Sequence, residues 1–276
     1  MTKGIIKILR PINLVITFLS VIIAAIISSS INAIDYDVIL IAITSAFSLA
    51  AGNIINDIID FDIDKINRPE RVLPAGLISL QTAKIVYSSL VLIAIMLSPF
   101  VGLEFLIIVV LGNILLYLYS LYFKKIILLG NFTVSLLTGL PLVLGAMAVG
   151  NIRGGIIPAG FAILVNFSRE IIKDMEDVKG DSSHGVVTFP QKVGLKKAAY
   201  LFICLIFALM VLTTIPYFLH LYKIEYFLII MVLINPLFIV ALKKIFHDKS
   251  LGTLRKVSTI LKLNMILGLL AFLAGA

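Results

Sequence analysis

The chain is predicted to be an all-α polytopic membrane protein, with nine transmembrane helices forming a single domain over residues 1–276, and three observations predict it. Hydrophobic residues make up 61% of the 276 positions and charged residues only 14%, against roughly 45–50% and about 25% in soluble domains. Apolar runs long enough to cross a bilayer, about 20 residues for a ~30 Å hydrocarbon core, recur nine times and leave only short connections. Lys and Arg cluster in alternate connections between those runs.

The runs place helices near 11–31, 38–59, 80–99, 104–123, 126–149, 154–174, 196–219, 224–245 and 254–275. The segment before the first run carries Lys3, Lys7 and Arg10 but no small-residue cleavage pattern follows it, so the first run reads as a retained helix. Breaks fall at Asn32 to Asp37, Pro99 to Gly102, Lys124-Lys125, Gly150 to Gly155 and Pro216 to Lys223, all rich in turn-forming or charged residues. Two connections, Asp60 to Ser79 and Met175 to Val193, are longer and polar. Pro141, Pro158 and Pro236 lie within runs, where neighbouring helices can satisfy the carbonyls that a kink frees. Lys262 lies near the start of the last run and can snorkel to its end. The single cysteine, Cys204, reads as a small packed hydrophobe, with no disulfide framework.

Charge placement sets the expected orientation, because short cytoplasmic connections carry the excess of Lys and Arg. Lys65, Arg68 and Arg71 follow the second run, Lys124 and Lys125 the fourth. Lys173, Lys179, Lys192, Lys196 and Lys197 surround the sixth-to-seventh connection, and Lys243, Lys244, Lys249, Arg255 and Lys256 the eighth-to-ninth. The opposite connections hold only Arg153 and Lys223. The N-terminus and both long polar loops are therefore expected in the cytoplasm and the C-terminus outside. The net charge of +8 follows from this topology and from contacts to membrane lipids; no nucleic-acid partner is implied.

Two acidic clusters carry the chemistry. Asn53, Asp57, Asp60 and Asp64 at the end of the second run share one spacing with Glu170, Asp174, Asp177 and Asp181 at the end of the sixth. Steps of four, three and four keep four side chains on one helical face. A solvated acidic helix end explains one such cluster, but not the same spacing twice beside hydrocarbon, where like carboxylates repel and lose solvation. Hard oxygen ligands of this kind suit Mg²⁺, which takes one or two carboxylates and completes its shell with water and phosphate. Two such helix ends facing one another fit a diphosphate bridged by two or more ions, with an apolar chain among the helices. The clusters lie 117 positions apart, an offset of four helices, so motif one (near 53–69) and motif two (near 169–181) form a parallel internal repeat on one membrane face. Pro74-Ala-Gly76-Leu77 and Pro190 to Gly194-Leu195 open similar helices after each.

At Asn56-Asp57-x-x-Asp60-x-x-x-Asp64 and Asp177-x-x-x-Asp181, preceded by Asp174, the chain resembles the UbiA superfamily of intramembrane prenyltransferases. Arg10-Pro11-x-Asn13, Asn67-Arg68-Pro69 and Tyr119-Ser120 followed by Lys124 extend the resemblance over nearly the whole length. It implies nine helices around a central cavity, Mg²⁺ dependence and transfer of a prenyl group from an isoprenoid diphosphate donor. Lys173 to Asp181 and Thr188 to Gly194 look most like the archaeal branch that adds a second geranylgeranyl chain to the glycerol hydroxyl of geranylgeranylglyceryl phosphate, an ether-lipid precursor and a lipid phosphate acceptor.

On this reading Asp57, Asp60, Asp64, Asp174, Asp177 and Asp181 are the metal ligands and catalytic carboxylates, with Asn53 and Glu170 as supporting ligands one turn deeper and, together with Asn56, among the residues expected to bind substrate. Arg68, Lys124, Arg169 and Lys173 are candidates for the diphosphate or the acceptor phosphate, and Asn13 for a hydrogen bond to substrate. Asp62 and Glu176 point off the shared face and read as solvated. His184, His220 and His247 show no ligand spacing. An aromatic acceptor is the alternative within the superfamily, and a cation transporter the alternative outside it, since intramembrane carboxylates also mark ion paths. A CDP-alcohol phosphotransferase is excluded by the missing compact D-x-x-D-G-x-x-A-R pattern.

Overall fold

A computed structural model describes residues 2–29, 34–181 and 188–276, without the side chains of Asn67, Lys179 and Asp181. In chain order the helices are α1 (Thr2–Leu9), α2 (Pro11–Ser28), α3 (Tyr36–Ile59), α4 (Phe61–Asn67), α5 (Leu80–Leu97), α6 (Leu103–Leu121), α7 (Leu129–Ala148), α8 (Ile152–Asp181), α9 (Phe189–Val193), α10 (Leu195–Leu212), α11 (Ile215–Phe218), α12 (Ile224–Ile229), α13 (Asn235–His247) and α14 (Leu251–Gly275). Nine spans among the described residues are long and apolar enough to cross a membrane: α2, α3, α5, α6, α7, α8, α10 with α11, α12 with α13, and α14. The expected all-α architecture is the one observed, with no strand among the described residues.

Local chemistry sets the helix ends. Asp35 caps α3 by accepting from the Val38 amide at 3.0 Å, and Ser79 caps α5 by accepting from the Thr82 amide at 3.0 Å, each satisfying one of the four orphan donors of a helix start. Between α12 and α13 the chain widens into a π-turn over Ile230–Ile234, just before Pro236. That turn absorbs the hydrogen bond that proline cannot donate.

Three differences from the expected layout bear on the site. The segment before Pro11 is itself a helix, α1, with Lys3 and Lys7 outward and Gly4 and Ile8 buried. A Cβ on Gly4 would meet the Leu77 carbonyl oxygen at 2.9 Å, so α1 lies close against the loop before α5. The sixth span continues seven residues beyond the expected end at 174, carrying motif two on unbroken helix to Asp181. Motif one is instead broken: α3 ends at Ile59 and Asp60 leaves the helix (φ −83°, ψ 4°) before α4 resumes.

In a bilayer, helices associate by close van der Waals contact between small residues rather than by hydrophobic burial. Here Gly145 of α7 lies against the Val21 carbonyl of α2, where any Cβ would collide with backbone. Gly155 of α8 lies likewise against the Leu142 carbonyl of α7. α2 thereby touches α3, α7, α8 and α14, and the largest apolar core joins α8 to α10, α12, α13 and α14 through Phe202, Tyr226, Phe238 and Phe272. Cys204 is exposed on the flank of α10 rather than packed inside, because its position faces away from that core.

Backbone features recur at nearly the offset of the acidic clusters. Arg10 (φ 54°) and Leu128 (φ 62°), both left-handed, lie 118 positions apart, and each precedes a helix whose third residue is Asn, Asn13 in α2 and Asn131 in α7. Gly76 (φ 67°) and Gly194 (φ 86°) show the same separation. In that left-handed region glycine avoids the Cβ clash other residues incur.

Candidate active site

The first acidic arm survives the break at Asp60. The Asp64 amide still donates to the Asp60 carbonyl at 2.8 Å, so α4 keeps the turn of α3. Arg71 then spans the arm, with Nη1 at 2.6 Å from Asp64 Oδ2 and 3.5 Å from Asp57 Oδ1. Asp57 and Asp64 are buried, at 6% and 4% exposure. Arg10 donates to Asp57 and, through Nη1, to Asn53 Oδ1 at 3.2 Å. Asp60 accepts from Lys124 on one oxygen and from Asn56 Nδ2 at 2.9 Å on the other.

The second arm lies on α8. Asn131 donates to Asp174 at 2.8 Å, and Arg68 Nη2 donates to both oxygens of Asp177 at 2.8 and 2.7 Å. Glu170, buried, is held by Lys173 at 2.9 Å, with Arg169 at 3.9 Å. The Asp181 side chain and His184 lie outside the described residues. Asp62 is solvated as expected, paired with Lys65. Glu176 is not: its side chain is only 10% exposed and accepts from Arg255 Nε at 2.9 Å, because the start of α14 covers it.

Arg68, from the loop after α4, joins the arms by its bond to Asp177 across 109 positions of sequence. Lys124, from the turn between α6 and α7, and Asn131 add two further elements. Tyr119 lies within the electrostatic reach of Glu170, Asp174 and Asp60. Asn13 is brought instead beside α14, where Lys262 Nζ donates to its Oδ1 at 2.7 Å. Lys262 is thus half-buried against the start of α2.

The arms are acidic in composition yet close to neutral in charge, since the chain's own cations cover the carboxylates. Burial pushes the Asp64 carboxyl up, against the opposing pull of Arg71. Burial also holds the Arg10 guanidinium below its ordinary range, with Asp57 opposing. At Arg68 burial acts the same way, but Asp177 and the acids behind it outweigh it and hold the guanidinium above its ordinary range. Arg71, Asn131, Lys262 and Arg255 were not legible as site residues. For Asn131 the signal existed, as it repeats Asn13 after 118 positions; for Arg71 nothing in the sequence indicates its reach back to Asp57.

The donor set fits Mg²⁺ in chemistry, being carboxylate and amide oxygen without sulfur or imidazole. Among the described residues no three acidic, His or Cys side chains converge on one point. That spread suits ions that share their shell with a bound phosphate rather than ions caged by protein alone. Asn53 Nδ2 is buried without a hydrogen-bond partner, a donor free for a phosphate oxygen. Beside α6, α7 and α8 lies an apolar groove of about 290 Å³, lined by Ile108, Leu111, Leu115, Leu136 and Ile163 among others. Leu111 and Leu136 are exposed, so it opens to the bilayer. A larger cavity of about 470 Å³ lies beside Asp37 and Glu104, roughly 30 Å along α3 from the carboxylates.

Two carboxylate arms brought together at one end of an apolar helical bundle define an intramembrane prenyltransferase, and the chain belongs to the UbiA prenyltransferase family, which matches residues 13–266. It is similar to the digeranylgeranylglyceryl phosphate synthase of Methanosphaera stadtmanae, 35% identical over 271 residues, 98% of each chain. A solved structure described as giving insights into the biosynthesis of digeranylgeranylglyceryl phosphate synthase in membranes is 36% identical, with a TM-score of 0.77 over 99% of this chain and 98% of that one. A UbiA homolog from Archaeoglobus fulgidus bound to DMAPP and Mg²⁺ shares the fold, with a TM-score of 0.65, 21% identity, and coverage of 98% of this chain and 99% of that one. Family membership sets aside the transporter reading.

Proposed function

We propose that the chain transfers a geranylgeranyl group from geranylgeranyl diphosphate to the glycerol hydroxyl of geranylgeranylglyceryl phosphate. The carrying observation is the junction of the two arms by Arg68 and Asp177, which makes one site of carboxylates at the membrane rim. The relatives named as digeranylgeranylglyceryl phosphate synthases support this acceptor.

In the reaction, the allylic carbon–oxygen bond breaks as positive charge develops on the hydrocarbon and negative charge on diphosphate. The acceptor oxygen bonds to that carbon, passes its proton to the released diphosphate or to a motif carboxylate, and becomes an ether. Asp57, Asp60 and Asp64 on one arm and Asp174, Asp177 and Asp181 on the other would hold two or more Mg²⁺, which supplies positive charge to the leaving diphosphate when bound. Arg68, Lys124 and Lys173, now bonded to Asp177, Asp60 and Glu170, are placed to turn to phosphate oxygens once those carboxylates are engaged. Asn53 Nδ2 offers a fixed donor beside them. The apolar groove beside α6, α7 and α8 suits an isoprenoid chain.

The active-site end is assigned to the cytoplasm and the C-terminus to the outside, on the Lys and Arg excess; labelling of a cysteine at position 65 from the outside, in a chain lacking Cys204, would contradict this. The two halves are read as a parallel repeat, supported by the matched left-handed residues and glycines 118 positions apart.

The acceptor is tested by supplying geranylgeranyl diphosphate with either geranylgeranylglyceryl phosphate or 4-hydroxybenzoate at matched concentrations, with Mg²⁺ and with chelator. The expected product is the digeranylgeranyl ether phosphate, formed only with divalent metal. Prenylation of the benzoate alone would replace the acceptor while leaving the prenyl transfer in place.

A further inference from the structure

Most cations near the arms pair closely with a carboxylate; Lys262 pairs with none among the described residues, and Arg169 has only a long, shared one. Lys262, half-buried on α14, has no carboxylate within ion-pair distance among the described residues, and its ammonium donates to the Asn13 amide oxygen at 2.7 Å. Arg169 on α8 donates at 3.4 Å to the Ser258 carbonyl, one turn before Lys262. Its nearest carboxylate, Glu170, is 3.9 Å away and already held by Lys173 at 2.9 Å. The charges that Lys262 feels most are two further cations, Arg169 and Arg10.

An ammonium held within a membrane span near a guanidinium, with no carboxylate of its own, is costly. Here the two meet at the seam where α2, α8 and α14 touch. Arg169 precedes Asp177 by eight residues of α8, roughly 12 Å along the helix axis. A group bound at Lys262 would thus be offset along α8 from Asp177 in the second arm. On the bilayer side of the seam Ile12, Val15 and Leu263 are exposed, so a ligand with a hydrocarbon tail meets it from the lipid.

We propose that Lys262, Arg169 and Asn13 form the seat of the acceptor's phosphate monoester, separate from the carboxylate arms that take the donor's diphosphate. The inference rests on the proposed acceptor. Two cations suit a phosphate dianion, the ammonium as a point charge and the guanidinium as a planar fork. Asn13 holds Lys262 in place through its oxygen. Lys124 and Arg68, cationic as they are, belong to the arms, because each is bonded to a motif carboxylate.

The test is steady-state kinetics of Lys262→Met, Lys262→Arg and Arg169→Gln in nanodiscs, varying donor and acceptor separately. The acceptor is geranylgeranylglyceryl phosphate or its dephosphorylated alcohol. Losing a charge-assisted hydrogen bond should raise the KM for the phosphorylated acceptor on the order of tenfold to a hundredfold. The preference for it over the alcohol should fall by the same factor, the donor KM should stay within about twofold, and Lys262→Arg should recover most of the loss. Arg169→Gln, on a different helix, should give the same pattern even where Lys262→Met folds poorly. A rise in donor KM with acceptor KM unchanged, or an equal loss with both acceptors, would overturn the seat while leaving the proposed reaction standing. A wild-type chain that prenylates only 4-hydroxybenzoate would overturn the proposed reaction itself, and the seat with it.

Discussion

Asp60→Ala and Asp177→Ala are each expected to lower prenyl transfer by about a thousandfold or more, with helical content and detergent monodispersity unchanged. Removing a single preorganised group that stabilises transition-state charge already costs about 10²–10³, and here each carboxylate also helps to position metal and diphosphate. Neither side chain is a packing element: Asp60 is held by Lys124 and Asn56, and Asp177 by Arg68, all at the rim of the bundle. Asp62→Ala, exposed and paired only with Lys65, should retain activity within about threefold, as surface ion pairs contribute little. Turnover assays on the three purified variants check this. Activity in Asp177→Ala close to that of Asp62→Ala would remove the second arm from the chemistry.

Arg71→Met is expected to destabilise the chain by about 3–5 kcal/mol when metal is chelated, the usual cost of removing one partner from a buried ion pair. Arg71 stands between two carboxylates, Asp57 and Asp64, at 3.5 and 2.6 Å, and their side chains are 8% and 6% exposed. Without the guanidinium both lose a compensating charge. Mg²⁺ bound by the same carboxylates replaces it, so thermal unfolding in detergent should show a smaller deficit with Mg²⁺ than in chelator, through preferential binding to the folded state. An equal deficit in both conditions would mean that Asp57 and Asp64 do not bind the ion.

The sequence and the structure agree where physics is local and differ where it is long-range. Nine spans follow from hydrophobic length alone, while the starts of α3 and α5 are set by the caps Asp35 and Ser79, which hydropathy does not report. The four-three-four spacing assumes one continuous helix; Asp60 interrupts it, yet hydrogen bonding carries the turn into α4, and Arg71 links Asp57 to Asp64 while Asp60 pairs with Lys124. Helix α1 was missed because eight residues with two lysines fall far short of a span; its stability comes from Gly4 and Ile8 packed against chain some seventy residues later. Glu176 was misread as solvated for a similar reason, since Arg255 is 79 positions away. The reach of Arg71 and the contact of Lys262 with Asn13 depend on which loop and which helix stand opposite, and no spacing within one segment encodes that. Asn131 alone was recoverable, through its repeat partner Asn13.

The central claim, that two acidic helix ends four helices apart make one diphosphate site, is tested most directly by equilibrium binding of a non-hydrolysable geranylgeranyl thiodiphosphate to the wild type, Asp60→Ala and Asp177→Ala, each with Mg²⁺ and with chelator. The wild type should bind only with Mg²⁺, and each substitution, on either arm, should abolish that metal-dependent binding. Wild-type affinity retained with Mg²⁺ in either variant would contradict the claim, because a site shared by both arms cannot lose one of them without effect.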